Sequence, residues 1–80
     1  MLDVATLIDF EAAHPRPTET KNAAILEQLD LQPTRYYQQL TRILATPHLR
    51  EAATLHDPIT TNRLVRLQEQ RAKTRKARSL

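Results

Sequence analysis

Eighty residues with a formal net charge of +3 and no cysteine make one small domain, too short for a typical enzyme cleft and unable to use a disulfide framework or a thiolate zinc site. No apolar run approaches the roughly 20 residues that cross a bilayer, and Met1-Leu2-Asp3 is not the basic start of a secretory signal, so a cytoplasmic location is expected. Glycine is absent and no alternating β-branched runs occur, which leaves an all-α fold, a compact bundle of four to five short helices.

The prolines punctuate the chain. Pro15 and Pro17 bracket one loop, while Pro33, Pro47 and Pro58 each sit just inside a helix start. The first helix is predicted from about Asp3 to Ala13, with Asp3 as cap, Val4, Leu7, Ile8 and Phe10 inward, and Asp9 and Glu11 on an acidic outer face. The second follows Thr18 and runs from Glu19 to Leu29, burying Ala24, Ile25 and Leu29 with Leu26 at the margin.

Residues Leu29 to Leu44 carry the sharpest signal. Leu29 closes a helix, Asp30 stands where a tight turn belongs, and Leu31 is the apolar plug that such a turn buries. Pro33 then opens a helix that reaches Ala45. Its residues Tyr36, Leu40, Ile43 and Leu44 form one buried stripe at helical spacing, with the Tyr36 hydroxyl expected to reach solvent. The opposite face holds Thr34, Arg35, Gln38, Gln39 and Arg42, with Tyr37 at its edge. This is the pattern of the turn and second helix of a helix-turn-helix, and it also fits an ordinary helical hairpin with a solvated face.

A fourth helix is predicted from Pro47 to Leu55, capped by Thr46, with Leu49, Ala52 and Ala53 inward. The fifth begins at Pro58 behind Asp57 and offers Ile59, Leu64, Val65 and Leu67 to the core before its apolar residues give out. The domain is therefore read as residues 1–67, followed by a basic C-terminal helix or tail, residues 68–80.

Charge divides at the start of the fifth helix. Residues 1–58 hold five Lys/Arg against eight Asp/Glu, whereas residues 59–80 hold seven against one. A segment that basic gains affinity for a polyanion by releasing condensed counterions, although a solvated terminus has the same composition. From Gln68 onward it lacks the bulky apolar residues a membrane-surface helix needs to insert.

Nothing in the chain assembles a catalytic or metal site. The only serine is Ser79, and His14, His48 and His56 follow no metal-ligand spacing. No catalytic residue, cofactor, metal or small-molecule substrate is expected.

The run from Lys21 to Ile25, Glu27, Leu29 to Leu31, and Thr34-Arg35-Tyr36-Tyr37-Gln38 with Leu40 resembles a small actinobacterial family of unknown function carrying the signature Thr-Arg-Tyr-Tyr-Gln-x-Leu. The likeness continues through Thr46-Pro47, Asp57-Pro58, Arg63-Leu64, Arg66-Leu67, Arg71, Arg75 and Arg78. It implies a helix-turn-helix-like fold and no established activity. Where that family carries glycine at the turn and serine at the cap, this chain has Asp30 and Gln32, and its first helix ends in Ala12-Ala13-His14-Pro15 in place of aromatic residues.

Two functions follow as expectations. In the first, the protein is a transcriptional regulator on double-stranded DNA, the helix Pro33 to Ala45 lying in the major groove. Thr34, Arg35, Tyr37 and Gln38 would contact bases, and Gln39, Arg42, Arg63, Arg66, Arg71, Lys73, Arg75, Lys76 and Arg78 would contact phosphates. So small a module would act as a homodimer or with a transcription-machinery partner. In the second, the same shape serves as a protein-protein adaptor through its acidic first half, with Tyr36 and Tyr37 as anchors.

Overall fold

The computed structural model describes the backbone of residues 2–79 and the side chains of residues 2–74. Its elements are five helices: α1 (Val4–Ala13), α2 (Glu19–Leu29), α3 (Pro33–Ala45), α4 (Pro47–His56) and α5 (Pro58–Ser79). The described residues contain no strand, and no helix among them is long and apolar enough to cross a membrane.

Local chemistry sets most boundaries. Thr18 caps α2 by accepting a hydrogen bond from the Lys21 amide, which satisfies one of the free N–H groups of the first turn. Asp57 caps α5 twice, accepting from the Thr60 amide at 3.0 Å and the Thr60 hydroxyl at 2.7 Å. These bonds, the backbone one foremost, hold the Asp57 carboxyl below its usual range. Asp3, Gln32 and Thr46 make no such side-chain cap, and the Thr46 hydroxyl turns back to the Arg42 carbonyl. At Gln32 and Thr46 the missing cap matters less, because proline follows and has no N–H to satisfy.

Asp30 ends α2 in the left-handed region, at φ 52° and ψ 40°, the only positive φ in the described chain. Its amide and that of Leu31 both point to the Ile25 carbonyl, so the chain reverses tightly and Leu31 is half-buried against the core. Asp tolerates this conformation through its short polar side chain, at a cost that glycine avoids.

The core forms where the helices converge. α4 contacts α1, α3 and α5, α1 also packs on α5, and α2 lies along α3. Leu7, Ile8 and Phe10 of α1, Ile25 of α2, and the whole stripe Tyr36, Leu40, Ile43 and Leu44 of α3 are buried together with Ala53 and Leu64. Phe10 meets Tyr36 edge-to-face at 5.5 Å between centroids.

Several inward assignments shift by one helical step. Ala53 takes the α4 core position and Ala52 is exposed. On α5 Thr60, Thr61 and Leu64 face inward, while Ile59, about 140° around the helix from Leu64, is 82% exposed and Leu67 is 39% exposed. α4 extends one residue beyond Leu55, to His56, and α5 continues unbroken through the expected domain edge at residues 67 and 68.

The largest departure concerns charge. Glu11, expected on the outer face of α1, is 2% exposed, and Lys21 of α2 is 3% exposed. Helical register explains both. Glu11 continues the stripe of Val4, Leu7 and Ile8, and Lys21 begins that of Ala24 and Ile25, so backbone geometry points each side chain inward despite its charge.

Candidate nucleic-acid interface

On α3, two polar sets occupy opposite sides of one helix. Inside, Glu11 Oε1 accepts from Lys21 Nζ at 2.5 Å and from the Tyr36 hydroxyl at 2.6 Å. Arg63 of α5 donates to the Glu11 carbonyl at 3.3 Å, with Nη2 3.5 Å from Oε2. The Tyr36 hydroxyl therefore does not reach solvent. Burial first, then its bond to Glu11, push this phenol well above its usual range. The Lys21 ammonium also lies over both tyrosine rings, 5.6 Å from the centroid of Tyr36 and 5.5 Å from that of Tyr37.

Outside, Thr34, Arg35, Gln38, Thr41 and Arg42 are all exposed. Arg35, Gln38, Gln39 and Arg42 line one shallow concavity, while Thr34, Tyr37, Gln38 and Thr41 line another beside it. At 100° per residue, Gln38 lies nearly opposite the buried stripe, with Thr34 and Arg42 about 40° to either side of it. The face thus offers guanidinium, amide and hydroxyl groups over roughly two turns, with no described acid paired to either arginine.

The remaining sequence-picked residues divide into three groups. Tyr37 and Gln39 flank the face and are half-buried. Tyr37 packs edge-on to Tyr36 at 5.0 Å between centroids, and burial raises its phenol pKa, helped by Glu11 and opposed by Arg71. Gln39 accepts a hydrogen bond from the Leu2 amide at 3.1 Å.

Along α5 the cations diverge. Arg63 is drawn to Glu11, and Arg71 follows Leu64 by two turns, on the side of α3. Arg66 and Lys73 fall within about 20° of the side opposite Leu64, exposed and turned away from the bundle. Arg75, Lys76 and Arg78 lie outside the described side chains. Sequence reasoning missed Thr41, which widens the α3 face, and Lys21 and Glu11 beneath it. The stripe register held the signal for the last two, but residue type pointed the other way.

The geometry defines a small all-helical protein that holds one polar helix outward by means of a core containing a charge pair. The chain belongs to the family described as protein of unknown function (DUF3263), whose model matches residues 3–76. No curated protein and no solved structure matches it.

Proposed function

We propose that the protein binds double-stranded DNA and regulates transcription, with α2, the Asp30 turn and α3 acting as a helix-turn-helix. The observation that carries this reading is the open face of α3. Four side chains able to bond base edges or phosphates, Thr34, Arg35, Gln38 and Arg42, are exposed together on a helix whose other side is locked into the core. Arg71 supports it, since α5 brings this cation beside Tyr37 at the margin of the same helix. On this reading α3 enters the major groove, and Arg71 and the cations further along α5 hold the flanking phosphates. Arg66 and Lys73, facing away, reach a different stretch of backbone or act through long-range attraction. The place of action is the nucleoid.

Binding to random duplex DNA across a salt series tests this. The protein should show a steep fall of affinity with salt, and Arg71→Gln with Lys73→Gln should lower the slope by about 1 to 2 through the lost phosphate contacts. Absence of binding at low salt would end the proposal.

A second reading, an adaptor that binds another protein, loses Tyr36 as an anchor, since that residue is fully buried, and is favoured by one other observation. Leu55 and Ile59 are 80% and 82% exposed, four residues apart around the α4–α5 corner. Large apolar side chains left in solvent become contact sites where they adjoin one another. If Leu55→Ser with Ile59→Ser abolishes a partner contact and leaves DNA affinity unchanged, the two surfaces are independent. The same corner could join two copies on a two-fold DNA site.

A further inference from the structure

Behind the open face of α3 lies a cleft of about 160 Å³ between the α1–α2 loop, α3 and α5. Half of its lining is apolar: Pro15 and Pro17 from the loop, Leu40 and Leu44 from α3, Leu64 and Leu67 from α5. A dry cavity of about 150 Å³ is large enough to hold benzene, so this volume suits a single ring or a short branched chain.

Charge gives the cleft its preference. Glu11 and Lys21 also line it, and both are buried, so they mark its inner end, while exposed Arg71 marks its rim. The cleft lining thus carries two cations, Lys21 and Arg71, against a single acid, Glu11. Lys21 Nζ donates to Glu11 alone among the described residues, although an ammonium carries three donors, and no described acid pairs with Arg71. A half-apolar lining with an excess of positive charge fits a ligand that is itself apolar with one negative end.

We propose that this cleft binds a small apolar carboxylate, its hydrocarbon part between the proline loop and the leucines of α3 and α5, its anionic end neutralising the cation excess. Sequence composition gave no reason to expect a small-molecule ligand; the cleft is a product of packing. Since Tyr37 and Thr41 belong both to its lining and to the edge of the α3 face, such a ligand would act as an effector of DNA binding, a consequence that rests on the function proposed above. The binding itself does not.

The test is an amide NMR titration of the full chain with phenylacetate, its neutral counterpart phenylacetamide, and inorganic phosphate, in the absence of DNA. Phenylacetate should saturably shift the amides of Arg16, Thr18, Thr41 and Gln68 near or below about 1 mM, the strength expected of about ten heavy atoms. It should bind at least about tenfold more tightly than phenylacetamide, the worth of one charge-assisted hydrogen bond. Arg71→Gln, at an exposed position, should remove that advantage, and Arg66→Gln on the opposite face of α5 should keep it. The proposal is overturned if phenylacetate gives no saturable shift, if the amide binds equally well, if phosphate binds as tightly, or if Arg71→Gln changes nothing.

Discussion

The two sides of α3 carry polar side chains under opposite conditions. Inside, Tyr36 is fully buried and its hydroxyl is fixed on Glu11, which also holds Lys21 and draws in Arg63. Outside, Thr34, Arg35, Gln38 and Arg42 are exposed. The difference teaches that polar residues in a small helical domain do two separate jobs. Buried ones specify which helices meet, because each missing partner leaves an uncompensated charge, whereas exposed ones cost the fold little to change and are available for recognition.

The strongest way to break this contrast is at Glu11. Glu11→Ala should destabilise by about 3–5 kcal/mol, since Lys21 would remain buried without its counter-charge. That is a large part of the roughly 5–15 kcal/mol available to a domain of this kind, and chemical denaturation would measure it. The combination Glu11→Leu, Lys21→Met and Tyr36→Phe should recover most of the loss, because only Arg63, whose side chain is 37% exposed and can turn to water, then loses a partner. A triple variant as unstable as the single one would show that the cluster contributes through something other than charge compensation.

Next in size is the response to alkali. The Tyr36 phenol is held above its usual range, so its contribution is complete below about pH 10, where an unfolded tyrosine begins to ionise, and is lost as pH rises toward the folded value. Melting temperature should fall above about pH 10, accompanied by a cooperative rise in tyrosinate absorbance. Tyr36→Phe, which should cost about 1.5–3 kcal/mol at neutral pH for a bond to a charged acceptor, ought to flatten that fall. A gradual titration of both tyrosines, Tyr37 and Tyr36 alike, would argue against a buried Tyr36 hydroxyl.

On the outer side, Arg35→Ala should leave stability within about 0.5 kcal/mol of the parent while costing, on the proposed DNA-binding function, about 1–3 kcal/mol of discrimination at one base position. Selection from a random DNA pool checks this. Recovery of the parental motif would remove Arg35 from the reading face, and a large loss of stability would merge the two sides that the structure separates.

The smallest effect concerns the turn that aims the helix. Asp30→Gly should stabilise by up to about 1 kcal/mol, because glycine occupies the left-handed region without the Cβ clash. Thermal unfolding would register the gain, and a loss would mean that the Asp30 side chain has a partner of its own.

The elements that sequence resolves well are those set by neighbours along the chain. Thr18 and Pro33 fix the starts of α2 and α3 within a few residues, and the four-residue stripe of α3 needs no tertiary information to be recognised. Asp30 is readable as the turn for the same reason. The charge cluster is different, since it forms only when the loop through Pro15 and Pro17 folds α2 back so that Lys21 meets Glu11, ten positions away. Register places both residues inward, yet only the packed structure supplies the partner that makes burial of either tolerable. On α5, residue type favoured Ile59 as core, but Ile59 lies about 140° from Leu64 around the helix, and Thr60 and Thr61 take the inward positions. The open face of α3 was legible residue by residue, apart from Thr41, but the side chains that brace it were not.

Glu11 also bears on the order in which the chain assembles. Its partners lie 10, 25 and 52 residues downstream, whereas most neighbouring helices in this bundle are consecutive in the chain. Local helix pairs form early because they close short loops, and the groups around Glu11 can engage only once α1 has met α2, α3 and α5 at one point. Docking of α1 is then the closing step of folding. Hydrogen exchange should accordingly find the amides of α1 opening at a lower free energy than those of α3.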